Sequence, residues 1–332
     1  YIDVTERGVI DLEQLKNAIR NDTVAISVMY VNNETGVVQP IDEIAKMIEG
    51  KGIVLHTDAI QGVGKEMILP KKQGIHALSA AAHKFYGPKG TGFLYLDQNY
   101  MIEKEITGGS QERNRRSGTE NVHGIVGMAK ALEIVYSDME EEQAKEKEMQ
   151  IYLEEALKEE ICNIKINCGN SRRISSVVNI TLEDCNVQTL MVALDMEGIC
   201  VSGGSACMSG AMETSHVLKA MGASEEDLKS SIRVSIGRYN TKDEIDIFIQ
   251  KLKEIVDNPK GKIGTKALLE ELKVYLLDEL TQEARRSTII LYKTGIKIKT
   301  SRKELLEAYK SLFVKDKTIT NYKLEVGFIQ HI

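Results

Sequence analysis

The chain has 332 residues, a net charge of −6 and five cysteines. That length is enough for two domains with a substantial core, and the acidic balance argues against general nucleic-acid affinity. Cys162, Cys168, Cys185, Cys200 and Cys207 form an odd set without a CxxC pair. They fit a reducing cytoplasm better than a disulfide framework, and no stretch has the length and apolarity of a membrane span.

The first third alternates strand and helix signals. After a helical pattern over Asp11–Arg20, Val24–Val31 is a continuous apolar run of the kind a buried parallel strand carries. Pro40 opens an amphipathic helix through Ile41, Ile44 and Ile48 that closes near Gly50 and Gly52. Ile53-Val54-Leu55 predicts the next strand, and His76–Ala81 and Thr91–Leu96 predict two more. This order predicts a doubly wound α/β sheet with ligands at strand carboxyl ends. Asn121 to about Ile161 reads as one long helix, whose Glu140-Glu141-Glu142 run is solvated surface. A smaller α/β domain follows: a strand over Ser175–Leu182, a helix over Val187–Met196, a strand over Ser231–Ile236 and a helix from Lys242 to about Val256. Pro259-Lys260-Gly261-Lys262 reads as a linker into an α+β tail with no catalytic motif. The expected division is therefore 1–135, 136–258 and 259–332.

Two local constellations carry chemistry. Lys84 lies in Ala82-His83-Lys84-Phe85-Tyr86-Gly87-Pro88-Lys89-Gly90, downstream of Asp58 and Gln61 in His56-Thr57-Asp58-Ala59-Ile60-Gln61. An amine downstream of a strand-end aspartate is what pyridoxal 5'-phosphate (PLP) chemistry needs. The lysine holds the cofactor as a Schiff base, and the carboxylate keeps the pyridine nitrogen protonated. In isolation Lys84 would be one more surface lysine. Cys207, set in Ser202-Gly203-Gly204-Ser205-Ala206-Cys207-Met208-Ser209-Gly210, reads as a nucleophile on a loop of small residues. The other four cysteines take a structural reading. His56 and His123 read as packed or hydrogen-bonded, while His76 has no evident partner. Arg238 reads as either a carboxylate ligand or half of an ion pair.

These motifs occur together with Val31-Asn32-Asn33-Glu34-Thr35-Gly36, Arg116-Ser117-Gly118-Thr119 and Ser230-Ser231-Ile232-Arg233-Val234-Ser235-Ile236-Gly237-Arg238. In that order and spacing the chain resembles cysteine desulfurases over Val24 to about Val256. These are class-V-aminotransferase-like PLP enzymes, and the glycine-serine loop resembles their long-loop subgroup. The resemblance implies the PLP-dependent transferase fold of type I: a large domain on a mostly parallel sheet, N-terminally incomplete here, with a smaller α/β domain. It implies that Lys84 binds the cofactor and moves the substrate Cα proton. Asp58 would pair with the pyridinium, Gln61 and Asn33 would lie at the ring O3′, and His83 would lie beside the ring. Asn33 and Arg233 would take the substrate carboxylate, and Thr119 would reach the phosphate in the partner subunit of a homodimer. Cys207 would take sulfur from L-cysteine, leaving L-alanine, and pass it to an iron–sulfur scaffold or a tRNA-thiolation protein. The alternatives are an aminotransferase, a selenocysteine lyase or a cofactor-free interaction subunit. Two departures stand out. Ala81 replaces a phosphate-contacting serine, a loss of about 1.5–3 kcal/mol in cofactor binding, with Ser79 too far back to replace it. The family's N-terminal phosphate-holding turn and ring-stacking histidine have no counterpart, so a companion chain is among the expected partners.

Overall fold

A computed structural model describes residues 1–204 and 214–257. Cys207 and the elements expected in 259–332 lie outside the described residues. The chain enters through α1 (Leu12–Ala18), whose first turn is capped by Asp11 accepting the Gln14 N–H at 2.9 Å. β1 (Ala25–Met29) follows, then α2 (Ile41–Ile48), β2 (Val54–Asp58), β3 (Ala77–Ala81), a single 3-10 turn over Ala82–Lys84, and β4 (Gly92–Leu96). Helix α2 buries Ile41, Ile44 and Ile48 along one stripe, as their spacing requires. The sheet runs β1-β2-β3-β4, with the first three strands parallel and β4 antiparallel to β3. Met29 pairs with Asp58 and Asp58 with Ser79, so the three parallel strands end at one edge. At Gly92 a Cβ would lie 2.5 Å from the Ala80 carbonyl oxygen, which is why glycine starts β4.

Beyond β4, α3 (Gln111–Asn114) is a turn in which Glu112, Arg113 and Asn114 have φ of 51°, 56° and 67°. The helix expected from Asn121 to Ile161 is two: α4 (Val122–Ser137) and α5 (Met139–Glu160). The break has a local cause. The Ser137 hydroxyl bonds the Ile134 carbonyl and the Asp138 carboxylate, each at 2.8 Å, and Asp138 leaves helical geometry at φ −102°, ψ 2°.

The second sheet is antiparallel: β5 (Ile164–Asn167), β6 (Val177–Leu182) and, later in the chain, β7 (Ser231–Ser235), in the order β5-β6-β7. Between β6 and β7 lie α6 (Val187–Met196), α7 (His216–Ala220) and α8 (Glu225–Lys229), and α9 (Lys242–Asp257) follows β7. Each sheet has its own apolar cluster. The first gathers Ile44, Leu55, Leu78 and Phe85. The second gathers Leu153, Leu157, Ile180, Leu194, Ile232 and Leu252. Each fully buried side chain of this size contributes about 1.5–3 kcal/mol. A buried polar chain then ties the second sheet to the loop after β1. Asn167 donates to Asn179 at 2.7 Å and to Thr181 at 2.8 Å, and Asn179 donates to the Glu34 carbonyl at 3.1 Å.

Candidate active site

The carboxyl edge of the parallel strands collects the chemistry-bearing residues. β1 runs out into the Val31–Gly36 turn with Asn33, β2 ends on Asp58 and leads to Gln61, and β3 leads to His83 and Lys84. The Asp58 carbonyl accepts the Tyr30 N–H at 2.7 Å, locking two strand ends together. Its Oδ1 accepts the Ile60 N–H at 3.0 Å, which aims the exposed carboxylate. Oδ2 has no hydrogen bond among the described residues.

Lys84 closes the 3-10 turn and is held by its neighbours. Phe85 is only 1% exposed and sits in the first core. The Gly87 N–H bonds back to the Ala82 carbonyl at 2.8 Å. Tyr86 takes φ 64°, and its hydroxyl oxygen accepts the Arg238 N–H at 3.2 Å while the Arg238 guanidinium lies 4.3 Å from its ring centroid. The half-buried Lys84 amine has no hydrogen bond or ion pair among the described residues. Arg238 is the ion-pair half of its two expected roles, with Glu142 at 2.6 Å.

Asn33 and Arg233 are brought together: Arg233 Nη1, from the middle of β7, donates to the Asn33 carbonyl at 2.9 Å. The turn carrying Asn33 is fixed by Asn32, whose Oδ1 accepts the N–H groups of Glu34 and Thr35 at 2.9 and 3.0 Å. His83 is exposed at the same strand edge. Thr119 is also exposed, between α3 and α4, and makes no hydrogen bond to the other site residues among the described residues.

The two histidines of the sheet have partners. His56 bridges three strands, with Nδ1 2.8 Å from Ser27 Oγ and Nε2 3.3 Å from Ser79 Oγ. Ser79 is thus engaged away from the Ala81 position. His76 Nδ1 accepts the Leu55 N–H at 2.8 Å, and its ring lies against Tyr100. Beside the Tyr86 clamp, Lys65 and Glu146 form an ion pair. Burial pushes the Glu146 carboxyl above its ordinary range, and Lys65 opposes that rise. Tyr86 and Glu34 were not singled out from sequence. Both lie within the motifs quoted for the resemblance, but nothing in the sequence named a partner for either.

Two interlocked sheets with an amine and a carboxylate at the parallel edge define the class to which known proteins can be compared. The sequence pattern of the class-V aminotransferase family matches residues 1–248. The chain is 39% identical over 257 residues to cysteine desulfurase IscS of Dictyoglomus turgidum and 41% over 258 residues to that of Clostridium botulinum. Each alignment covers 77% of this chain and 65% of the relative. A crystal structure of a NifS-like protein from Rickettsia africae superposes with a TM-score of 0.72 at 35% identity, covering 77% of this chain and 69% of that one. The chain belongs to the class-V aminotransferase family. It spans slightly less than two thirds of the length of the curated relatives it matches.

Proposed function

We propose that the protein is a PLP-dependent cysteine desulfurase, converting L-cysteine to L-alanine and retaining the sulfur as a persulfide on Cys207. One observation carries the reading. Asn33, Asp58, Gln61, His83 and Lys84 lie along one strand edge, with the Lys84 amine and Asp58 Oδ2 uncommitted among the described residues. Arg233 reaches the same turn from the second sheet. The named cysteine desulfurases among the relatives support the choice of reaction.

The residues at the strand edge fit the ring and the aldehyde of the cofactor. A carboxylate at a strand end suits a cationic ring nitrogen, and an unpaired, half-buried amine suits covalent attachment. When bound, PLP supplies an electron sink that lets bonds at the substrate's Cα and Cβ break. Asp58 Oδ2 would hold the proton of the ring nitrogen, and Gln61, His83 and Asn33 would orient the ring. Arg233 would pair with the substrate carboxylate, for which its planar fork is suited. Lys84 Nζ would take and return the Cα proton. The Cys207 thiolate would attack the substrate sulfur. The C–S bond breaks, its electron pair returns to Cβ, and a proton completes alanine. Thr119 would contact the phosphate in the partner subunit, making a homodimer the working form. The proposal includes a cofactor part over 1–135 and a smaller part over 136–258. It also includes a cytoplasmic setting, in keeping with the free thiols of Cys162, Cys168, Cys185 and Cys200 among the described residues. The sulfur would pass to an iron–sulfur scaffold or a tRNA-thiolation protein.

Incubation with PLP followed by borohydride tests the site. The cofactor is expected to be fixed to the peptide carrying Lys84, and Lys84→Ala abolishes both that fixation and alanine release. Fixation elsewhere, or none, contradicts the proposal.

A further inference from the structure

Glu34 plays no part in the chemistry above, yet it is 1% exposed and lies one residue from Asn33. Its backbone is immobilised on both sides, the N–H by Asn32 and the carbonyl by Asn179. Its Oε2 accepts the Ser215 hydroxyl at 2.5 Å, while Oε1 is buried without a hydrogen-bond partner among the described residues. Ser215, 8% exposed, also caps α7 by accepting the Leu218 N–H at 3.0 Å, so its hydroxyl is oriented from two directions. Across from it, a Cβ on Gly204 would lie 3.8 Å from both Glu34 Oε2 and Ser215 Cβ. Gly204 and Ser215 flank the stretch of sequence that contains Cys207. The described residues on its two sides thus converge on one buried carboxylate. Two residues before Gly204, Ser202 pairs with Arg233 through both backbone groups, at 2.6 and 3.1 Å.

We propose that Glu34 is a positioning residue for sulfur transfer, anchoring the base of the Cys207-bearing segment to the turn that presents Asn33. The inference rests on the cysteine desulfurase reading and adds to it a fixed point on either side of the sequence that contains Cys207. A carboxylate only 1% exposed is costly as mere packing. As an anchor it joins the turn that orients substrate to the base of the segment carrying the nucleophile. Because Glu34 holds the Asn33 turn through its backbone, truncating its side chain leaves Asn33 and Arg233 in place.

The test compares the full-length protein, Glu34→Ala, Glu34→Gln, Ser215→Ala and the double variant Glu34→Ala/Ser215→Ala, each loaded with PLP. Glu34→Ala is expected to slow single-turnover persulfide formation on Cys207 by about tenfold, the scale of one lost charge-assisted hydrogen bond. The KM for cysteine and borohydride fixation at Lys84 stay near those of the parent. Glu34→Gln, which still accepts the Ser215 hydroxyl, recovers most of the rate. The double variant forms persulfide no more slowly than Glu34→Ala, since the Glu34–Ser215 contact is already gone, and the lost cap on α7 shows in unfolding stability instead. Iodoacetamide labelling of Cys207 in cofactor-free protein is expected to change rate in Glu34→Ala and not in Glu34→Gln. Unchanged persulfide formation in Glu34→Ala overturns the inference, as does a parallel loss of cofactor fixation. If Glu34→Ala does not fold, Ser215→Ala and Glu34→Gln decide by the same criteria. A parent protein that fixes PLP but makes no persulfide from cysteine overturns the desulfurase reading itself, and the inference with it.

Discussion

Lys84 is held from both sides of the chain, by Phe85 inserted in the core and by Tyr86 clamped on Arg238. The floor under Phe85 is Gly64, at φ 80°, where a Cβ would lie 2.6 Å from Val135 Cγ1 and 3.0 Å from Phe85 Cβ. Gly64→Ala therefore combines a left-handed backbone penalty with overpacking. Equilibrium denaturation should show a loss of about 2–4 kcal/mol, with PLP affinity falling as Phe85 is displaced. Unchanged stability would mean that this contact relaxes freely. The place of Lys84 and Asp58 at the carboxyl edge of the sheet was readable in the sequence because each follows a predicted strand. Tyr86, Glu34 and the fate of Arg238 were not. Their roles come from partners 152, 181 and 96 positions away in sequence, and no local pattern encodes such pairings.

At the scale of elements, the parallel strands were foreseen because continuous apolar runs ending in polar residues leave little choice. β5 was missed: Ile164-Lys165-Ile166-Asn167 is only four residues long and puts a buried asparagine where an apolar run would continue. The break at Asp138 was missed because the apolar periodicity continues across it, and only the competing side-chain bonds of Ser137 interrupt the helix. Asn179 on β6 links the second sheet to the Asn33 turn and is 1% exposed. Asn179→Ala would strand the Glu34 carbonyl and reduce the support of Asn167. The expected loss is about 1–3 kcal/mol in denaturant unfolding, with a raised KM for cysteine as the Asn33 turn loosens. Stability lost without any change in KM would separate the two sheets functionally.

For the molecule as a whole, the stability ledger should depend on pH through Glu146, which joins α5 to Lys65 after β2. Burial, helped by the nearby Glu142 carboxylate, raises its carboxyl pKa against the opposing pull of Lys65 and Arg238. The native state therefore favours the protonated form. Its stabilising contribution is complete below the ordinary carboxylate range and is lost as pH climbs through the raised value. Glu146→Gln, which does not titrate, should improve relative to the parent as pH rises above the ordinary carboxylate range, whatever the constant cost of leaving Lys65 without its partner. Thermal unfolding across that rise checks the sign, and a variant that falls behind as pH rises would show that the ion pair outweighs burial.

The central claim is that sulfur leaves cysteine for Cys207. The most direct test supplies the PLP-loaded protein with one equivalent of L-cysteine, then measures the mass of the Cys207 peptide and the amino acid released. The account predicts one added sulfur atom on Cys207, one alanine per site, and loss of both in Cys207→Ala. A keto acid product, or alanine formed equally well by Cys207→Ala, would contradict it.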